Sequence, residues 1–159
     1  MLTTGDAVFD ANRPWVHFRG RDNIETLAAI TPNLSGLRVY SLDGSKMADA
    51  DEVFERYYSE FDFPAYFGWN WAALDECLTT LKNLPSRKYL TIIHDAHSLL
   101  VRDRQDLRIL LRTLNDVGHY WAHSLEIGRE WGEKPVAFNT ILLSNKYTST
   151  ELSMLMTGS

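Results

Sequence analysis

The chain has 159 residues, 45% of them hydrophobic and 23% charged, with a net charge of −5. That size supports one domain with a full core, and the acidic balance argues against a nucleic-acid binder, which carries a basic patch. Cys77 is the only cysteine, which excludes a disulfide framework and a cysteine-based zinc site.

No apolar run approaches the ~20 residues that span a bilayer, and the first residues lack the basic and apolar regions of a signal peptide. The expectation is a cytoplasmic protein with reduced thiols. Trp15 to Arg19 alternates as a short strand after Pro14. Asp22 to Ile30 reads as a short helix capped by Asp22 or Asn23 and stopped before Pro32, and Asn33 to Gly36 is the natural boundary turn. Leu37 to Leu42 forms a strand closed by the turn Asp43 to Ser45. A helix follows, capped by Asp49 or Asp51, with Val53, Phe54, Tyr57, Tyr58 and Phe61 as one apolar stripe ending at Pro64.

A second helix is expected from about Trp69 or Asn70 to Leu84, with Asn70 as N-cap and Pro85 as its stop. Lys88 to Asp95 is the most strand-like segment and reads as central and buried. Asp103 to Ser124 reads as a long helix with Leu107, Leu110, Leu111 and Leu114 on its core face, Gly118 marking its end or a break. Glu126 to Lys134 is loop-like, Val136 to Ser144 is a last buried strand, and the tail after it is polar and loose, although Glu151 to Met156 has the makings of a docking segment. Strands alternating with helical crossovers give an α/β fold with a mainly parallel sheet packed with helices.

The second helix is the most informative element. Trp71, Leu74, Leu78 and Leu81 make one apolar face, so Ala72, Asp75, Glu76 and Thr79 project from the other side with Thr80 at its edge. Ahead of it, Phe67 and Trp71 read as packing, Tyr66 and Trp69 as exposable rings, and Gly68 as a residue of positive φ or close backbone approach. Such a face is either a solvated helix side or an acidic, aromatic-flanked interface for a cationic partner.

Histidines at 94 and 97 and at 119 and 123 have metal-compatible spacing, but nothing completes a metallopeptidase motif. Cys77 lies beside Glu76 on or near the inward side of the helix, where a thiol is not activated. No nucleophile elbow or phosphate-cradling glycine loop is present, and Asp75 and Glu76 diverge by about 100° on a helix rather than forming an acid–base dyad.

At Tyr66-Phe67-Gly68-Trp69-Asn70 and the helix carrying Ala73, Leu74, Cys77, Leu78 and Thr79, the chain resembles the barstar family of ribonuclease inhibitors. The resemblance covers residues 37–144. It implies a barstar-like, three-stranded parallel sheet, with residues 1–36 as an N-terminal strand–helix extension on the same domain and residues 145–159 as a loose C-terminal tail. In that family the loop and second helix enter the active-site cleft of a secreted, basic ribonuclease, and a helix aspartate replaces the substrate phosphate.

Carried over by position, the aspartate becomes Glu76, a second acidic contact becomes Ala72, an aromatic contact becomes Asp75 and a glycine contact becomes Thr80. The late-helix acids fall on Thr113 and Val117, with Asp116 nearby. The implied partner-binding set is Tyr66, Phe67, Gly68, Trp69, Asn70, Ala72, Asp75, Glu76, Thr79 and Thr80. The expected partner is a secreted or toxin-type basic ribonuclease, bound by a free monomer without catalytic residues, metal or cofactor, and without nucleic-acid or membrane contacts. The alternative is a barstar-fold interaction or regulatory module that no longer inhibits a nuclease. A third reading, a metalloenzyme built on His119 and His123, predicts bound zinc or nickel.

Overall fold

Four apolar runs pair side by side in one all-parallel sheet: β1 (Val16–Arg19), β2 (Leu37–Asp43), β3 (Lys88–His94) and β4 (Ala137–Leu143), in the order β1-β4-β3-β2. The computed structural model describes residues 7–23, 36–81, 86, 88–123 and 135–158. The expected helix over 22–30 and loop over 126–134 lie wholly or mostly outside them. The register aligns Val39 with Leu90, Leu90 with Asn139, and Val16 with Thr140. The central strands β3 and β4 are almost fully buried, as a parallel strand covered on both faces must be.

Strand alternation divides the core. Tyr40, Leu42, Tyr89, Ile93, Phe138 and Leu142 point into the larger cluster, with the helices α1 (Ala50–Phe61), α2 (Trp71–Leu78), α3 (Leu107–Ala122) and α4 (Ser149–Thr157). Leu90, Ile92 and Ile141 point the other way, under Val8 and Phe9 of a short N-terminal 3-10 turn.

The helix starts are chemically explicit. Asp49 caps α1 by accepting from the Glu52 N–H, while the Glu52 carboxylate accepts from the Ala48 N–H. The stripe expected on α1 is inward: Val53, Phe54, Tyr57 and Phe61 are buried and Tyr58 is half-buried. α2 is shorter than the sequence pattern implies, ending at Leu78 instead of near residue 84. The Thr79 and Thr80 hydroxyls donate to the Asp75 and Glu76 carbonyls, and that back-bonding competes with continuing the helix.

Gly118 neither ends nor breaks α3, which runs on to Ala122. It is buried against Trp15, and a Cβ there would collide with the Trp15 Cβ and Cγ. A glycine at this point lets the N-terminal segment lie directly on the helix backbone.

The last segment is not loose. α4 begins with a reciprocal capping box between Thr148 and Glu151 and buries Leu152 and Met156. The turn after β1 grips it: the Asp22 carboxylate accepts from the Ser149 N–H and hydroxyl, Asn23 Nδ2 donates to the Ser149 hydroxyl oxygen, and Arg21 pairs with Glu151. These hydrogen bonds hold the Asp22 carboxyl below the usual carboxylate range. On the other face, the His17 ring bonds to Asn139 Oδ1, and Asn139 Nδ2 donates to the Asp10 carbonyl, which fixes the extension to β4.

Candidate functional site

The loop from Asp62 to Asn70 is built on aromatic packing. Phe67 is its hub, 4% exposed, with ring centroids of Phe63, Tyr58, Phe54 and Trp69 at 5.1, 6.0, 6.3 and 5.4 Å. Phe67 thus supports the loop and presents almost no face to a partner. Tyr66 is 73% exposed, and Trp69 is 46% exposed while its ring stacks on Tyr58 at 5.4 Å.

Backbone geometry corrects one expectation. The residue of positive φ is Trp69, at 54°, and not Gly68. Left-handed backbone at a tryptophan costs about 1–2 kcal/mol and persists only where its surroundings over-determine it. Here the Tyr58–Trp69 stack and Asn70 do so: Asn70 Nδ2 donates to the Gly68 carbonyl, and its Oδ1 accepts from the Ala73 N–H as the α2 N-cap. A Cβ at Gly68 would sit 3.3 Å from the Ala73 Cβ and from Asn70 Nδ2, a tight contact at the start of α2.

Asn70→Ala removes the cap and the loop tie together, and is expected to lower stability by about 1 kcal/mol. Urea unfolding with an unchanged m-value checks this; an unaltered midpoint contradicts it.

On α2 the inward residues Leu74, Cys77 and Leu78 are buried and Trp71 is half-buried. Ala72, Glu76 and Thr80 are exposed; Asp75 and Thr79 are half-buried. Burial and the nearby Glu76 charge push the Cys77 thiol up, so it is held protonated. Neither the Asp75 nor the Glu76 carboxylate is paired with a cation among the described residues.

Asp75 instead faces a like charge. Partial burial, and then repulsion from Asp116 on α3, push its carboxyl above the ordinary value of 3.8. Asp116 therefore belongs to the acidic surface, although on sequence alone it is only a neighbour of Thr113 and Val117. Those two positions are 7% and 0% exposed, and the Thr113 hydroxyl donates to the Ile109 carbonyl. The acids expected there are replaced by residues that fit the interior.

α2 is seated on α3 by a buried bond: the Trp121 indole donates to the Leu78 carbonyl at 3.0 Å. A C-terminal carbonyl that α2 itself leaves open is thereby satisfied.

The histidine pairs go elsewhere. The His119 and His123 rings lie 4.2 Å apart, with His123 Nδ1 bonded to the His119 carbonyl, and His97 bonds to Ser144. Among the described residues no group of three or more His, Cys, Asp or Glu is placed to hold a metal ion. No helix among them is long and apolar enough to cross a membrane.

Comparison with known proteins gives no match among curated proteins. The family comparison does: the model described as Barstar (barnase inhibitor) matches residues 37–141, the segment that runs from β2 through the loop, α2 and α3 into β4. β1 and α4 both lie outside that segment. The four-stranded parallel sheet with its helices is thus a barstar-like α/β fold carrying an added edge strand. By this match the chain belongs to the Barstar (barnase inhibitor) family, whose members are inhibitor proteins and not enzymes.

Proposed function

We propose that the chain is an intracellular inhibitor of a basic, barnase-type ribonuclease, which it blocks with the loop Tyr66–Asn70 and the outer face of α2. The observation that carries this is the pair of carboxylates, Asp75 and Glu76, left without a cation among the described residues, on a braced helix beside two exposed rings. A ribonuclease cleft is shaped for phosphates and lined by cations, so a fixed carboxylate is the chemical surrogate it accepts. Glu76 is exposed and takes the phosphate position. Asp75, with Asp116 behind it, offers a second negative charge. Tyr66 and Trp69 supply apolar contact area with few torsions to freeze. Thr79 and Thr80 have their hydroxyl donors committed to helix carbonyls, so they act by shape.

The test is inhibition of a barnase-type ribonuclease, with affinities for the chain and its variants. Glu76→Ala is expected to weaken binding about ten- to a hundredfold, the value of a charge-assisted hydrogen bond. Association slows with added salt, since exposed charges are screened over about 10 Å at 0.1 M. No complex, or one indifferent to Glu76→Ala and salt, removes the proposal.

A pH dependence follows from Asp75. Its folded-state pKa is raised, so the protonated form is favoured in the free fold; its contribution to stability is present below 3.8 and lost as pH rises through the raised value. At neutral pH the charge works against folding, and Asp75→Asn is expected to raise the unfolding temperature at pH 7, with the gain vanishing near pH 3.8. A cationic partner pulls the same pKa down. Binding therefore releases a proton, and affinity falls as pH drops through the raised value. Asp75→Asn that lowers stability at pH 7 contradicts this account.

A second reading is a barstar-fold interaction module without nuclease inhibition. It is favoured by the exposed Ala72 where the family has an acid, and by the buried Thr113 and Val117. Recovery of a non-nuclease partner by a chain that leaves ribonucleases active distinguishes it.

A further inference from the structure

Between the start of α3 and the end of α4 lies a cleft of about 540 Å3, lined by Arg104, Arg108, Leu111, Leu155 and Met156 among others. It owes one wall to α4, outside the family-matched segment. Arg104, in the 3-10 turn Arg104–Asp106 that leads into α3, and Arg108, in the first turn of α3, line the cleft, and Arg112 follows four residues further along the helix, beyond the lining. All three are exposed, and none forms an ion pair with a carboxylate of the described residues. The one hydrogen bond among them runs from Arg104 to the His97 carbonyl. Asp116, one turn beyond Arg112, is not paired with it either.

Like charges at this spacing repel and destabilise a helix. In a chain of net charge −5, a run of arginines with no ion pair among the described residues is a surface suited to an external anion. Its border is apolar: Leu155 is 41% exposed in the cleft wall and Met154 is 56% exposed beside it.

We propose that this cleft docks an acidic segment of a partner protein, one whose repeating carboxylates meet the guanidinium groups of Arg104 and Arg108, and of Arg112 just beyond the cleft, while its apolar side chains enter between Leu111, Leu155 and Met156. Guanidinium groups repeated every four residues from the 3-10 turn into α3 suit a peptide with spaced acids, whereas a single anionic headgroup would use one of them. Arginine matches carboxylates in a two-pronged geometry, and the cleft volume is within the usual range for a binding site. A basic ribonuclease is repelled by this face, so the partner is a different molecule from the one bound at the loop and α2.

The probe is a fluorescein-labelled synthetic peptide with glutamates at four-residue intervals and leucines between them. Two controls accompany it, one with the leucines replaced by serine and one with the glutamates replaced by lysine. The expected result is binding of the glutamate–leucine peptide alone, measured by fluorescence anisotropy and weakened by salt. Arg108→Glu with Arg112→Glu, and separately Leu155→Ser, each weaken it by about tenfold or more, as for a lost charge-assisted contact or a lost apolar anchor. These are surface positions, and unchanged thermal unfolding verifies that the variants are folded.

Failure of the unaltered chain to bind the glutamate–leucine peptide overturns the proposal, and so does binding indifferent to those substitutions. Tighter binding of dodecanoate at the same residues assigns the cleft to a small amphiphile and also overturns it. A concentration-dependent dimer abolished by the same substitutions assigns it to a second copy, with the same consequence.

Discussion

Gly118→Ala is expected to lower the unfolding temperature by roughly 6–12 °C, the counterpart of a loss of about 3 kcal/mol in a chain of this size. The usual sign is the reverse, since alanine stabilises a helix interior by about 1 kcal/mol over glycine. Position 118 inverts it because the added methyl collides with the Trp15 Cβ and Cγ, with Cδ1 at 2.9 Å. Trp15 has nowhere to retreat. Its indole donates to the Ala11 carbonyl, its ring meets His119 edge-on, and its backbone carbonyl accepts from the Thr140 N–H at the start of the β1–β4 pairing. Displacing it pulls the edge strand away from β4. In a double-mutant cycle, Trp15→Ala and Gly118→Ala should be strongly non-additive, because removing the indole removes most of the collision. A Gly118→Ala chain more stable than the parent refutes this packing.

The second large effect is at Trp121. Trp121→Phe is expected to cost about 3 kcal/mol by urea unfolding, combining an unfilled space with a buried carbonyl left without a donor. Trp121 is fully buried, and its bond to the Leu78 carbonyl fixes the end of α2 on α3. The consequence reaches the acidic surface. With that anchor gone, α2 can shift on α3 and change the spacing of Asp75 and Glu76 from the loop. Ribonuclease affinity of the folded variant should therefore fall about tenfold, although Trp121 touches nothing outside the protein. A Trp121→Phe protein that is less stable yet binds at full affinity separates the two roles and refutes the positioning argument.

Much of this architecture is legible in the sequence because its causes are local. Apolar runs bounded by turn residues mark the four strands, and Asp49 and Asn70 announce the α1 and α2 starts by capping chemistry. What escaped has physical reasons too. α4 shows in the sequence only as a docking segment over Glu151 to Met156, because two of its apolar residues, Met154 and Leu155, face solvent and blur the helical stripe. The Thr148–Glu151 capping pair was the signal that would have found it. The early end of α2 depends on two threonine hydroxyls choosing carbonyls over solvent, which periodicity does not reveal.

At the site, the exposed and buried rings separate much as their spacing suggests, but the left-handed residue is Trp69 because distant Tyr58 holds its ring. Asp116 joins Asp75 only through the packing of two helices, and no spacing rule links residues 75 and 116.

The pairing of β1 with β4 has a consequence for how the molecule comes into being. His17 finds Asn139 across 122 positions of chain, so β1 is synthesised long before the strand it pairs with. At 5–20 residues per second, β1 waits at least about 6 seconds for β4 to be synthesised. The sheet from β2 onward closes first around its own local contacts, and the edge strand is then laid onto a nearly finished surface. Folding of this chain should accordingly show a late step, sensitive to Trp15 and Gly118 and silent to the Tyr66–Asn70 loop, in which β1 docks onto β4.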